Sequence, residues 1–222
     1  MVERAQAPAQ ETQAYDIDKP LGQIVASGVS AEEYERLYIG HYEWVRGYVI
    51  KMSPISIRHE NVVIYLRQLL NAYFALNPIG VVYGDPFVQR IDNVESRRQP
   101  DLQIILKTNP GKLTATAMIG PADICIEVIS EGTAGKDYGE KFEEYEQGGV
   151  GEYWIFDTER EEYRFFRRSQ QGTFKSFYVD ADGDYETPLL PKLKIHVPTL
   201  WEEELPNILQ IVEAVKAMME EK

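Results

Sequence analysis

The sequence predicts a mixed α/β (α+β) fold in which a central mixed β-sheet is flanked by helices. Three observations predict it. Runs with helical spacing of apolar residues alternate along the chain with short β-prone runs. Two of those short runs, 101–106 and 123–130, are almost wholly apolar, as expected of strands covered on both faces. The chain has 222 residues, 44% hydrophobic and 27% charged, enough for one large domain with its own core.

Residues 1–20, rich in Ala, Gln and Glu, read as a flexible tail before a single domain spanning 21–222. Ser30 and Glu33 have capping-box spacing and open a short helix over Ala31–Tyr38. Two β-prone runs between Tyr42 and Met52 flank Arg46-Gly47, a hairpin signature. Val62, Leu66, Leu69, Leu70 and Tyr73 share a helix face, so a helix runs Asn61–Ala75 until Asn77-Pro78 stops it. Val81–Tyr83 and Phe87–Gln89 are strands around Gly84-Asp85-Pro86, followed by the two apolar runs. After Gly135, Asp137, Lys141 and Tyr145 recur at helical spacing, and Gly148-Gly149 ends that helix. Glu152–Asp157 is a strand, and 162–166 with 173–179 make a hairpin through Gln170-Gln171-Gly172. The acidic run Asp180–Asp184 lacks the spacing of a calcium loop and reads as a solvated turn. A terminal helix spans Trp201–Met219, with Pro206 as a break point.

Composition narrows the function. With 23 basic and 36 acidic residues the net charge is −13, which excludes a protein that holds nucleic acid by bulk positive charge. A nucleic-acid role then needs a local basic patch or a bound cation. Cys125 is the one cysteine, so an internal disulfide and a cysteine-rich zinc site are excluded. His41, His59 and His196 lack metal-ligand spacing. No apolar run is long enough to span a membrane, and the first 17 residues have no signal-like core, so the expected compartment is the cytoplasm.

The chemistry lies in the two apolar strands. Asp101 opens the first, and Glu127 sits inside the second. A carboxylate in an apolar strand needs a partner, solvent or a cation, because burying it unpaired is costly. Two carboxylates converging from neighbouring strands, with the Val128 carbonyl beside them, suit magnesium, or manganese in its place. Lys141 on the next helix could stabilise negative charge developing on a phosphate. Together they describe metal-assisted phosphodiester hydrolysis. The basic pair Arg97-Arg98, read as a loop just before Asp101, could hold phosphates. Each feature also has a plainer reading: Asp101 as a strand cap, Glu127 in a structural ion pair, the arginines solvated. His59, next to a helix face, reads as a structural residue or a substrate-edge contact.

The ordered set Tyr42-Glu43, Met52-Ser53-Pro54, His59, Pro100-Asp101, Glu127-Val128-Ile129-Ser130, Asp137, Lys141, Tyr145, Gly149-Val150, Glu152-Tyr153-Trp154 and Asp157 resembles the Uma-two family of restriction-endonuclease-like proteins, in the PD-(D/E)XK nuclease superfamily. The resemblance covers roughly residues 30–200. It implies a restriction-endonuclease-like core, a Mg-dependent endonuclease activity on DNA, metal ligation by Asp101 and Glu127, Glu43 as a further acidic site residue, and a homodimer. The superfamily places a lysine two residues after the glutamate, where this chain has Ile129. The resemblance assigns that role to a lysine migrated to the next helix, Lys141, with Lys136 as the competitor. The alternative is a catalytically silent fold that binds a partner or builds a scaffold.

Overall fold

In a computed structural model the chain is described over residues 23–129 and 139–220. The expected tail, Lys136 and Asp137 lie outside the described residues.

The chain opens with β1 (Gln23–Ala26) and α1 (Ala31–Leu37), whose capping box between Ser30 and Glu33 forms as the sequence predicts. The hairpin of β2 (Tyr42–Val45) and β3 (Tyr48–Lys51) turns on Arg46 and Gly47, with φ of 47° and 86°, the two positive values that match strand twist. Helix α2 (Ile57–Leu76) starts four residues earlier than its apolar period indicates. The Ser56 hydroxyl accepts the His59 N–H at 3.1 Å and supplies the cap. There follow β4 (Gly80–Gly84), β5 (Val88–Ile91), β6 (Ser96–Arg98), β7 (Leu102–Leu106), β8 (Lys112–Leu113), β9 (Ala117–Ile119) and β10 (Ile124–Ile129). Arg97 and Arg98 are therefore in a strand, not in a loop. Helix α3 (Lys141–Gly148) ends on Gly149 at φ 98°. Beyond it lie β11 (Glu152–Asp157), β12 (Glu162–Arg168), β13 (Phe174–Phe177), β14 (Asp184–Glu186), β15 (Lys194–His196) and α4 (Ile208–Glu220). The expected terminal helix is shorter than predicted: Val197–Trp201 is a 3₁₀ turn, and α4 begins only after Pro206.

Among the described residues, β1-β3-β2-β6-β5-β9-β8 form one sheet and β13-β12-β11-β10-β7-β4 a second, with β14-β15 a separate pair. The fold is the expected mixed α/β class, with its strands shared between two large sheets. The second is mixed: β10 runs parallel to β11 and antiparallel to β7. Period-2 alternation divides its side chains. Leu102, Ile104, Ile124, Ile126 and Val128 pack with α2 and α4. Ile105, Cys125 and Ile129 point the other way, packing with Tyr145 of α3 and with Ile91 and Met118 of the first sheet. Glu127, between Cys125 and Ile129, belongs to this second face.

Candidate active site

The ladder between β7 and β10 stops at Leu102 opposite Ile126, which brings Asp101 alongside Glu127. Carbonyls of Asp123 and Ile129 accept N–H groups at the two ends of β11, so the odd-numbered residues of β10 bond that neighbour. Val128 therefore turns its N–H and carbonyl toward β7. With β7 ended, the Val128 N–H is taken by Asp101 Oδ2 at 2.7 Å. The Val128 carbonyl faces the same side.

Glu127 and Lys141 are both buried, and Lys141 Nζ sits 2.8 Å from Glu127 Oε2. The Tyr145 hydroxyl, one turn further along α3, donates to Glu127 Oε1 at 2.9 Å. Burial, with the Glu127 charge next, pushes the Tyr145 hydroxyl well up, so it stays a donor. From the opposite side α2 presents His59, whose Nε2 lies 3.2 Å from Asp101 Oδ1. Burial lowers the His59 pKa, but the hydrogen bond and charge of Asp101 more than reverse that, so it lies above 6.5. The Lys141 charge acts on both His59 and Glu43. Asp101, Glu127, Lys141, His59 and Glu43 are thus linked by hydrogen bonds, an ion pair and charge across neighbouring elements.

Glu43 is held by Arg98. Arg98 Nη1 lies 2.7 Å from Glu43 Oε2, and the Gln99 N–H donates to Oε1 at 3.1 Å. Burial raises the Glu43 carboxyl, but the charges of Arg98 and then Lys141 outweigh it and hold it below its usual range. The same guanidinium donates to both Glu144 oxygens, at 2.9 and 2.6 Å. Its side chain is 0% exposed. Arg97, 4% exposed in its side chain, spends its guanidinium on Glu35 and Asp92 at 3.0 and 2.7 Å. Phosphate contact by this pair is not compatible with that burial. Both arginines instead join strands and helices.

The remaining motif residues explain themselves locally. Glu152 and Trp154 share a strand face, and Trp154 Nε1 donates to Glu152 at 2.9 Å. The hydroxyls of Tyr185 and Thr187 donate to the same carboxylate. Asp157 Oδ1 accepts the N–H groups of Glu159 and Arg160 and shapes a turn. Buried Cys125 donates to Gln89 Oε1 at 3.1 Å, a core role.

The sequence marks Asp85 only as part of a turn, yet its carboxyl feels the charges of Asp101 and Glu43. Its Oδ2 is 3.0 Å from His41 Nδ1, and among the described residues its Oδ1 is buried without a partner. Burial raises its pKa; His41 opposes the shift, and the charges of Asp101 and Glu43 add to it. Gly84-Asp85-Pro86 between two strands gives a turn by composition alone, so nothing in that triplet marks the side chain's direction.

Residues 31–198 match the family model of Uma2, described as putative restriction endonuclease. The chain belongs to the Uma2 family. A solved structure of a putative nuclease of DUF820 from Anabaena variabilis ATCC 29413 shares its fold, with a TM-score of 0.66 at 14% identity. That likeness covers 78% of this chain and 97% of the other. No curated protein matches the chain. Membership of Uma2 and this fold make the chain restriction-endonuclease-like, and no helix among the described residues is long and apolar enough to cross a membrane.

Proposed function

We propose that this Uma2 protein is a divalent-metal-dependent endonuclease that hydrolyses phosphodiester bonds of DNA. The observation that supports it most is that Asp101, just before β7, takes the unladdered N–H of Val128, next in β10 to Glu127, which Lys141 of α3 grips. The donor set fits a hard cation: carboxylates and a carbonyl offer oxygen alone, and magnesium needs only one or two carboxylates alongside water and substrate phosphate. Among the described residues no group of three His, Cys, Asp or Glu stands ready to hold an ion. Asp101, Glu127 and the Val128 carbonyl would hold the ion, and when bound it would activate water and neutralise phosphate charge. Lys141 holds a positive charge at the Glu127 carboxylate, where it can meet charge gathering on a phosphate oxygen. Tyr145 fixes the other Glu127 oxygen, and His59 fixes Asp101. Glu43 sets the local negative charge and anchors Arg98. His59 serves as a positioning residue, and Lys136 remains in this reading a second cation near the substrate. The reading takes magnesium or manganese as the ion, the cytoplasm as the compartment, 21–222 as one domain and a homodimer as the working form, on the family resemblance.

A second reading is a catalytically silent scaffold. One observation favours it: both Glu127 oxygens are already occupied, by Lys141 and Tyr145.

Thermal denaturation with added Mg²⁺ or Mn²⁺ separates the two. An ion that binds only the folded chain stabilises it by about 2.7 kcal/mol at a hundredfold excess over Kd. The expected result is a higher midpoint in the wild type, no rise in Asp101→Asn, and DNA cleavage lost in Glu127→Gln. A wild type that neither shifts nor cleaves supports the scaffold and sinks the nuclease. Cleavage retained in Glu127→Gln also removes the assignment.

A further inference from the structure

With Arg97 and Arg98 committed to carboxylates, the site needs another group to hold the substrate strand. Arg67 fits. His59, Val63 and Arg67 fall four apart on α2 and share a face. His59 grips the Asp101 carboxylate, and two turns on Arg67 reaches Gly84 at the end of β4. A Cβ on Gly84 would run into both the Arg67 guanidinium and the Asp101 carbonyl. Gly84 is not among the glycines with positive φ, so its conformation does not demand glycine; the close approach of the Asp101 carbonyl does, and the Arg67 guanidinium occupies the space this leaves.

Arg67 is partly buried, and among the described residues it makes no hydrogen bond, ion pair or ring contact. Its Nε is buried without an acceptor. Such a donor costs stability, and a structural arginine normally repays that cost through a carboxylate or carbonyl. In a chain of net charge −13, acceptors are abundant, and among the described residues Arg67 takes none. A guanidinium fork matches the two oxygens of a phosphate.

We propose that Arg67, seated on Gly84, binds a phosphate of the nucleic-acid strand next to the one presented at Asp101. The inference rests on the nuclease reading and adds a substrate subsite to it.

The test is binding of a fluorescently labelled DNA duplex by anisotropy, with Ca²⁺ as the hard cation, across a salt series. Arg67→Gln should bind at least tenfold more weakly. Its plot of log K against log salt should be shallower by about 0.9, the contribution of one phosphate contact. Arg67→Lys should keep the slope and recover part of the affinity. The thermal midpoint of Arg67→Met without DNA should equal or exceed the wild type, since no partner is lost, and the Mg²⁺-dependent rise should persist. Wild-type affinity and slope in Arg67→Gln overturn the inference alone, as does a large fall in the Arg67→Met midpoint, the mark of a structural role. A wild type that neither binds nor cleaves DNA overturns the nuclease reading and the inference with it.

Discussion

Asp101 is held from two directions, by the Val128 N–H and by His59. The second contact makes stability depend on pH. His59 titrates above 6.5 in the folded chain, because Asp101 outweighs the opposing effect of burial. A raised folded-state value favours folding fully below the unfolded value, and the advantage disappears as pH rises through the folded value. The thermal midpoint should therefore fall as pH increases from 6.5, and His59→Gln should lose that segment of the profile. An identical profile in the variant would exclude this account. The two ligand candidates were legible in sequence because each breaks a local rule: a carboxylate stands in or beside an apolar strand. His59 was legible only as a structural residue or a substrate-edge contact, since nothing in the text near it names Asp101. Asp85 and Arg67 were missed for the same reason. Their directions are fixed by β4 and by the space over Gly84, which a linear reading does not contain.

At the scale of elements, one guanidinium joins three of them. Arg98 on β6 holds Glu43 of β2 and Glu144 of α3, from 55 and 46 residues away. The α3 contact matters for chemistry, because Lys141 and Tyr145 stand on the same helix and both grip Glu127. Breaking a buried pair from one side leaves uncompensated charge and costs about 3–5 kcal/mol. Arg98→Met should lose that much stability in urea denaturation. Restoring neutrality with Glu43→Gln and Glu144→Gln in the same chain should recover a large part of it. If the single variant loses less than about 1 kcal/mol, well under the range for a broken buried pair, Arg98 is not the clamp. Sequence placed the strands and helices around this clamp well where periodicity is strong: the first hairpin and β11 stand close to their expected bounds, and α2 ends within a residue of its expected stop although it starts four residues early. It misread Arg97-Arg98 as a loop, since a basic pair before proline resembles a turn. Their burial comes from carboxylates distant in sequence, and arginine letters do not disclose whether the partner is phosphate or carboxylate. The end of the chain was overextended because Trp201 and the apolar run after Pro206 share one helical period, and the proline's backbone restriction prevailed.

For the whole molecule, the net charge of −13 sets how nucleic acid can be held. A chain with this balance repels phosphate at long range, and salt screens that repulsion over about 10 Å at 0.1 M. Attraction must then come from few points. Most arginines around the site are already neutralised by Glu35, Asp92, Glu43 and Glu144. A divalent ion between Asp101 and Glu127 would locally reverse the sign of the field, as bound cations do. Two consequences follow in one experiment, a salt series of DNA binding with Ca²⁺ and with chelator. With Ca²⁺ the slope of log K against log salt should be shallow, between about −1 and −3, because each phosphate contact contributes about −0.9. With chelator the affinity should fall at least tenfold, since the acidic pair then faces the backbone unneutralised. A slope steeper than about −6 would mean a broad basic surface of the kind that binds many phosphates, and affinity unchanged by chelator would remove the ion from recognition. On the proposed reading the acidic surplus makes binding depend on the ion: without it the protein would keep away from nucleic acid, and with it contact would be confined to the strand segment that reaches the cation and the guanidinium of Arg67.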